Sequence, residues 1–99
     1  MKKYYYTCEG GSIMVGNATA KIRISNGYGD GYFKVYVTDD AEYFENIKGW
    51  EYIGNIDGVV TIYNYDGNTD CSSPLTRLDK GCYAIYKDNR GNMAFAKWY

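Results

Sequence analysis

Apolar and polar residues alternate with a period of two along most of the chain, and turn signals rich in glycine, asparagine and aspartate separate the alternating runs. Residues 4–8 and 12–15 flank Glu9-Gly10-Gly11 and predict a first hairpin. Gly16-Asn17 interrupts the pattern as a bulge would, and Ala20, Ile22 and Ile24 then share one face of a strand over 18–25. Beyond the turn at 26–31, Phe33, Val35 and Val37 point one way and Tyr32, Lys34 and Tyr36 the other. Residues 50–56 and 59–65 enclose Asp57-Gly58, a dipeptide suited to a two-residue hairpin loop. A short strand fits 75–78, and 82–87 with 92–98 form a closing hairpin around Asp88-Asn89-Arg90-Gly91.

The period changes only between Thr38 and Gly49. Asp39 suits an N-cap, and Glu42 follows it at capping-box spacing. Tyr43, Phe44 and Ile47 fall on one helical face, and Lys48-Gly49 makes a C-terminal stop. This predicts one short helix near 39–48. The expected architecture is mainly β, on the border of α+β, as a single domain over residues 1–99. Seven or eight short antiparallel strands would close into a small barrel or form two packed sheets.

Composition supports strands and hairpins. The chain holds 13 Tyr and 12 Gly against one proline, Pro74, and tyrosine suits pleated half-buried surfaces while glycine suits tight turns. The lysines after Met1 are followed by Glu9-Gly10-Gly11 and not by the apolar run of a secretory leader. No stretch approaches the roughly 20 apolar residues of a membrane helix. A cytoplasmic location without membrane association is therefore expected.

Histidine is absent, which removes Ser–His and Cys–His nucleophile systems and imidazole metal sites together. Cys8, Cys71 and Cys82 show no C-x-x-C pair and read as reduced thiols, with a Cys71–Cys82 bridge as the alternative. Glu42 and Glu45 read as solvated carboxylates beside a helix N-terminus, not as an acid–base pair. Gly27-x-Gly29-x-Gly31 precedes a strand, so it lacks the helix that a phosphate-binding loop needs. Asp66-Gly67-Asn68-Thr69-Asp70 begins like a calcium loop, but Cys71 stands where glycine belongs and Arg77 where the bidentate glutamate belongs. No metal, no cofactor and no enzymatic activity are expected.

Residues 82–99, together with Gly49-Trp50 and Tyr63-x-Tyr65-Asp66-Gly67, resemble the aromatic hairpins of choline-binding cell-wall repeats. The likeness covers two hairpins. No second Gly-Trp opens a following repeat, and the ligand cages of that family lie between successive repeats. The resemblance implies hairpins with paired aromatics and points to a carbohydrate or cell-wall ligand.

Charge is segregated. The net charge is −1, yet residues 39–70 hold eight acids (Asp39, Asp40, Glu42, Glu45, Glu51, Asp57, Asp66, Asp70) against Lys48, while the flanking segments carry +3 each. Such a field attracts basic partners, and tyrosines supply rigid contact area. The expected function is a non-enzymatic protein-binding module whose partner-binding residues are Asp39, Asp40, Glu42, Tyr43, Glu45, Glu51, Tyr52, Tyr63 and Tyr65. In its most concrete form it is a small phage or mobile-element inhibitor, of the anti-CRISPR kind, that occludes a basic nucleic-acid-handling host protein. One alternative is carbohydrate binding through Trp50, Trp98 and nearby tyrosines. Another is single-stranded nucleic-acid binding on Tyr-rich strands, against which the dispersed cations and a pI near 5.3 count.

Overall fold

The computed structural model describes residues 3–9, 12–17, 21–25, 32–65 and 74–98. Among them are nine strands: β1 Lys3–Glu9, β2 Ser12–Gly16, β3 Lys21–Ser25, β4 Tyr32–Thr38, β5 Trp50–Gly58, β6 Thr61–Tyr65, β7 Pro74–Arg77, β8 Gly81–Asp88 and β9 Met93–Lys97. They form two packed sheets and no closed barrel. The larger sheet has the order β1-β4-β9-β8-β5 and the smaller β3-β2-β6-β7. Every pairing is antiparallel except one, because β4 runs parallel to its neighbour β9, which corrects the expectation of antiparallel strands throughout.

Alternation decides which residues meet between the sheets. Ile13, Val15, Val60 and Ile62 from the smaller sheet side face Phe33, Val35, Val37, Ile85, Met93 and Phe95 from the larger, all in one buried cluster. Two inward tyrosines keep their hydroxyls paired, as buried phenols require. Tyr6 donates to Thr76 Oγ1 at 2.9 Å across the sandwich, and Tyr83 donates to the Asp79 carbonyl.

Two expected hairpins do not form. β1 pairs with β4 along its whole length, from Lys3 opposite Thr38 to Glu9 opposite Tyr32, while β2 pairs with β3 and β6 in the other sheet. Gly16 accordingly ends β2 instead of bulging a strand. Asp57-Gly58 likewise marks a crossing between sheets: Asp57 and Gly58 stay in the β5–β8 ladder opposite Cys82 and Gly81, and β6 joins β2 and β7. The reason lies in the apolar positions. A two-residue loop at 57–58 would pair Ile56 with Val59 and put Ile56 on the face opposite Val60 and Ile62. The crossing lets all three enter one core, with Gly58 at φ 99° where the path turns. The closing hairpin is present as β8–β9, and the short strand at 75–78 appears as β7.

The expected helix near 39–48 is absent. Residues 39–49 form a strap of consecutive turns, with backbone N–H groups bonding three residues back: Tyr43 to Asp40 at 3.2 Å, Ile47 to Phe44 at 3.4 Å and Trp50 to Ile47 at 3.4 Å. Asp40 organises the entry. Its amide donates to Thr38 Oγ1 at 3.1 Å and its carboxylate accepts from the Glu42 amide at 3.0 Å. A helix of two turns gains too little to offset its nucleation cost, and here the chain must cross the sheet from the end of β4 to the start of β5. Docking of the aromatics sets its path, and Ile47, expected on the buried face, is exposed. No helix of the described residues is long and apolar enough to cross a membrane.

Candidate functional site

The outer face of the larger sheet carries the strap. Register aligns Tyr5, Tyr36, Ala94, Tyr86 and Tyr52 in one row across β1, β4, β9, β8 and β5. The adjacent row places Thr38, Ala96 and Ala84 side by side. Three alanines on the central strands leave a trough flanked by large rings, and Phe44 of the strap fills it, with 2% of its surface exposed. Its ring centroid lies 4.7 Å from that of Trp50, 4.9 Å from Tyr43 and 6.1 Å from both Tyr36 and Tyr86. Tyr36 meets Trp50 edge-on at 5.8 Å. Aromatic pairs at such distances add about 0.5–1.5 kcal/mol each beyond burial.

The cluster opens to solvent at both sides. Tyr5 is 54% exposed and its ring lies 5.5 Å from Tyr36, with Lys34 Nζ 4.9 Å from its centroid. Tyr52 is 50% exposed and meets Tyr86 at 5.8 Å. Asp39, Glu42 and Glu45 are exposed on the strap, Asp40 is half-buried in its turn, and Glu51 is exposed on edge strand β5. Thus six of the nine residues expected to bind a partner, Asp39, Asp40, Glu42, Tyr43, Glu45 and Tyr52, share one side of the molecule, while Glu51, opposite Lys87 and one position from Tyr52, lies on the other face of β5.

Tyr63 does not join them. On β6 it alternates with buried Ile62 and therefore faces outward from the smaller sheet, on the far side of the sandwich. Its neighbours there are cationic: Lys21 Nζ lies 5.8 Å from its ring centroid, Arg23 stands opposite Met14 and Arg77 opposite Thr61. Tyr65 is two positions further along β6. Among the described residues, the strap thus carries the exposed carboxylates Asp39, Glu42 and Glu45, and the outer face of the smaller sheet carries Lys21, Arg23 and Arg77.

The residues that build the cluster, Phe44, Tyr36, Trp50, Tyr86 and Tyr5, were not among the nine. Ala94-Phe95-Ala96 was the available signal, since small residues on one face of a central strand imply that something large lies on them. The Gly27–Gly31 and Asp66–Asp70 motifs and Cys71 lie outside the described residues, while Cys82 is a free, half-buried thiol. Among the described residues no group of three or more Cys, Asp or Glu is placed to hold a metal ion.

Tyr86 links the cluster to the acids. Burial, then the Glu45 carboxylate, then Tyr52 raise its phenol above the ordinary value of 10.0. A folded-state pKa above the unfolded one means the native state holds the proton more tightly, so this stabilisation is present below pH 10 and lost as pH rises through the folded value. Thermal stability of the Tyr86→Phe variant should therefore decline less above about pH 10 than that of the parent chain. Parallel melting curves from pH 8 to 11.5 check this, and identical alkaline slopes would refute it.

Compared with known proteins, the chain matches no family model, no curated sequence and no solved structure. The choline-binding likeness also loses one of its two hairpins, because Trp50 opens a strand in one sheet and Tyr63 lies in the other.

Proposed function

We propose that this chain is a non-enzymatic protein-binding module that engages a basic partner through the acidic, aromatic side of its larger sheet. The observation that carries this reading is the strap pinned by Phe44. It carries the exposed Glu42 and Glu45 over the sheet face on which the rings of Tyr5 and Tyr52 stand exposed. Rigid tyrosines at a charged rim are the composition of interaction hot spots, and acidic groups steer a basic surface into register. The most concrete form is an inhibitor that covers the nucleic-acid-binding surface of its target, as anti-CRISPR proteins do, with carboxylates standing where phosphates would lie.

The test is capture of partners on the immobilised domain from bacterial lysate at low and high salt, alongside a Glu42→Lys/Glu45→Lys variant. Both side chains are exposed, so the variant should fold as the parent does. Asp40 is left intact because its carboxylate holds the turn. A stoichiometric basic protein, released by salt and bound at least about tenfold more weakly by the variant, is the expected result. A partner held equally well by the variant would overturn the acidic-side reading.

A second reading rests on the basic side. Lys21, Arg23 and Arg77 around Tyr63 would suit single-stranded nucleic acid, with phosphates on the cations and a base on the ring. Recovery of nucleic acid by parent and variant alike would favour it. Lysine and arginine on edge strand β3 also discourage edge-to-edge pairing, which accounts for part of that charge without any ligand.

A further inference from the structure

Beyond the strap, at the end of the larger sheet, register sets Trp98, Cys82 and Asp57 side by side. The Trp98 amide donates to the Cys82 carbonyl at 2.7 Å, and Cys82 stands opposite Asp57. Asn55, two residues earlier on β5, shares the face of Asp57. These side chains line a depression of about 360 Å³, and Trp98 is 53% exposed at its wall. It continues into a second depression of about 370 Å³ between Asp57 and Lys80. Gly58 and Gly81 face each other there and contribute no side chains to fill it. The Asn17 side chain holds the Asp57 carbonyl at 3.1 Å, fixing the end of β5 through its backbone and not through the carboxylate.

We propose that this groove is a carbohydrate subsite that takes a pyranose ring against Trp98. Four features select that ligand class. An indole face matches the apolar C–H face of a sugar ring. Asn55 offers a donor and an acceptor, Asp57 accepts and Lys80 donates, which suits a rim of hydroxyls that both give and take hydrogen bonds. Asp57 and Lys80 balance in charge, so the groove has no field that would prefer an ionic ligand. Its volume lies within the range of small-molecule sites. Trp50, by contrast, is committed to the strap cluster, so a sugar would meet one tryptophan and not the two that the sequence offered. The site is separate from the strap, and its failure leaves the protein-binding reading untouched.

The test is a heteronuclear NMR titration of the intact protein with methyl glycosides of glucose, mannose and galactose and with N-acetylglucosamine oligomers. The Trp98 indole N–H is assigned through Trp98→Phe. At least one sugar should shift the Trp98 indole and the Asn55 side-chain amide saturably, with a dissociation constant on the order of 1 mM, as fits a shallow site with few contacts. Trp50 should stay unmoved, and raising salt tenfold should alter affinity by less than about twofold. Asp57→Ala and Trp98→Ala, both at exposed positions, should each weaken binding at least about tenfold while leaving the remaining spectrum in place. Absence of saturable shifts across the panel would overturn the proposal. So would binding that survives Trp98→Ala, or shifts confined to Trp50 and the strap.

Discussion

Replacing Phe44 by alanine is expected to cost about 3 kcal/mol of stability, a fall in melting temperature of roughly 15 °C, while both sheets stay folded. Truncating a buried phenylalanine costs about 3–5 kcal/mol where the cavity cannot close. Here the loss is capped, because the strap can lift away and let water reach the trough instead of enclosing a void. The inter-sheet core around Phe95, Ile13 and Ile62 does not touch this cluster, so far-ultraviolet dichroism should keep its strand signature. Trp50 provides the local readout. Its ring now lies 4.7 Å from Phe44, and its fluorescence should shift to the red on truncation, whereas Trp98 is already exposed. Phe44→Leu should recover about half of the lost stability. Unchanged melting and unchanged Trp50 emission in the alanine variant would mean that the strap is held by something other than Phe44. If the acidic side binds a partner, the same substitution should also weaken that binding without altering any charge.

Asp88→Ala should cost about 2–3 kcal/mol, unusual for a turn residue, because one carboxylate organises the whole β8–β9 connection. Its Oδ1 accepts from the amides of Arg90 at 2.9 Å and Asn92 at 2.8 Å, and its Oδ2 from the Asn92 side chain at 3.1 Å. Asn92 in turn accepts from the Lys34 amide at 2.9 Å, which ties the turn to β4. Gly91 completes the path at φ 83°, a conformation that non-glycine residues seldom adopt. Asp88→Asn keeps an oxygen for the two amides and loses the acceptor for the Asn92 side chain, so it should cost about half as much. Urea denaturation of the three chains orders them parent, asparagine, alanine. Equal midpoints for the parent and alanine chains would refute the assignment.

The same turn shows what was legible without a structure. Asp88-Asn89-Arg90-Gly91 between two alternating runs specified its hairpin, because the signal and the contact are both local. Asp57-Gly58 is an equally strong local signal, yet the chain changes sheets there. Period-two alternation tells which residues face a core but not which strand lies alongside, and pairings such as Lys3 with Thr38 join residues far apart in sequence. The 39–49 segment misled for a related reason. Tyr43, Phe44 and Ile47 have helical spacing, but the alanine trough that receives Phe44 is assembled from β8 and β9, some 40 to 50 residues later. Asp39, Asp40, Glu42 and Glu45 were legible as neighbours because the strap is one continuous segment. Tyr63 was misplaced because only the change of sheet after Gly58 carries it to the other side.

The parallel pairing of β4 with β9 has a consequence for synthesis. The strand at the centre of the larger sheet is the last of the nine to leave the ribosome. Until Met93–Lys97 emerges, β1–β4 and β8–β5 are two separate ribbons with bare inner edges, and Phe44 lacks two of the three alanines beneath it. Interruption of translation before that point leaves a chain with no larger sheet and unpaired strand edges, the kind of nascent product that chaperones and proteases recognise. Assembly of the larger sheet thereby waits on one strand, the last of the nine in chain order.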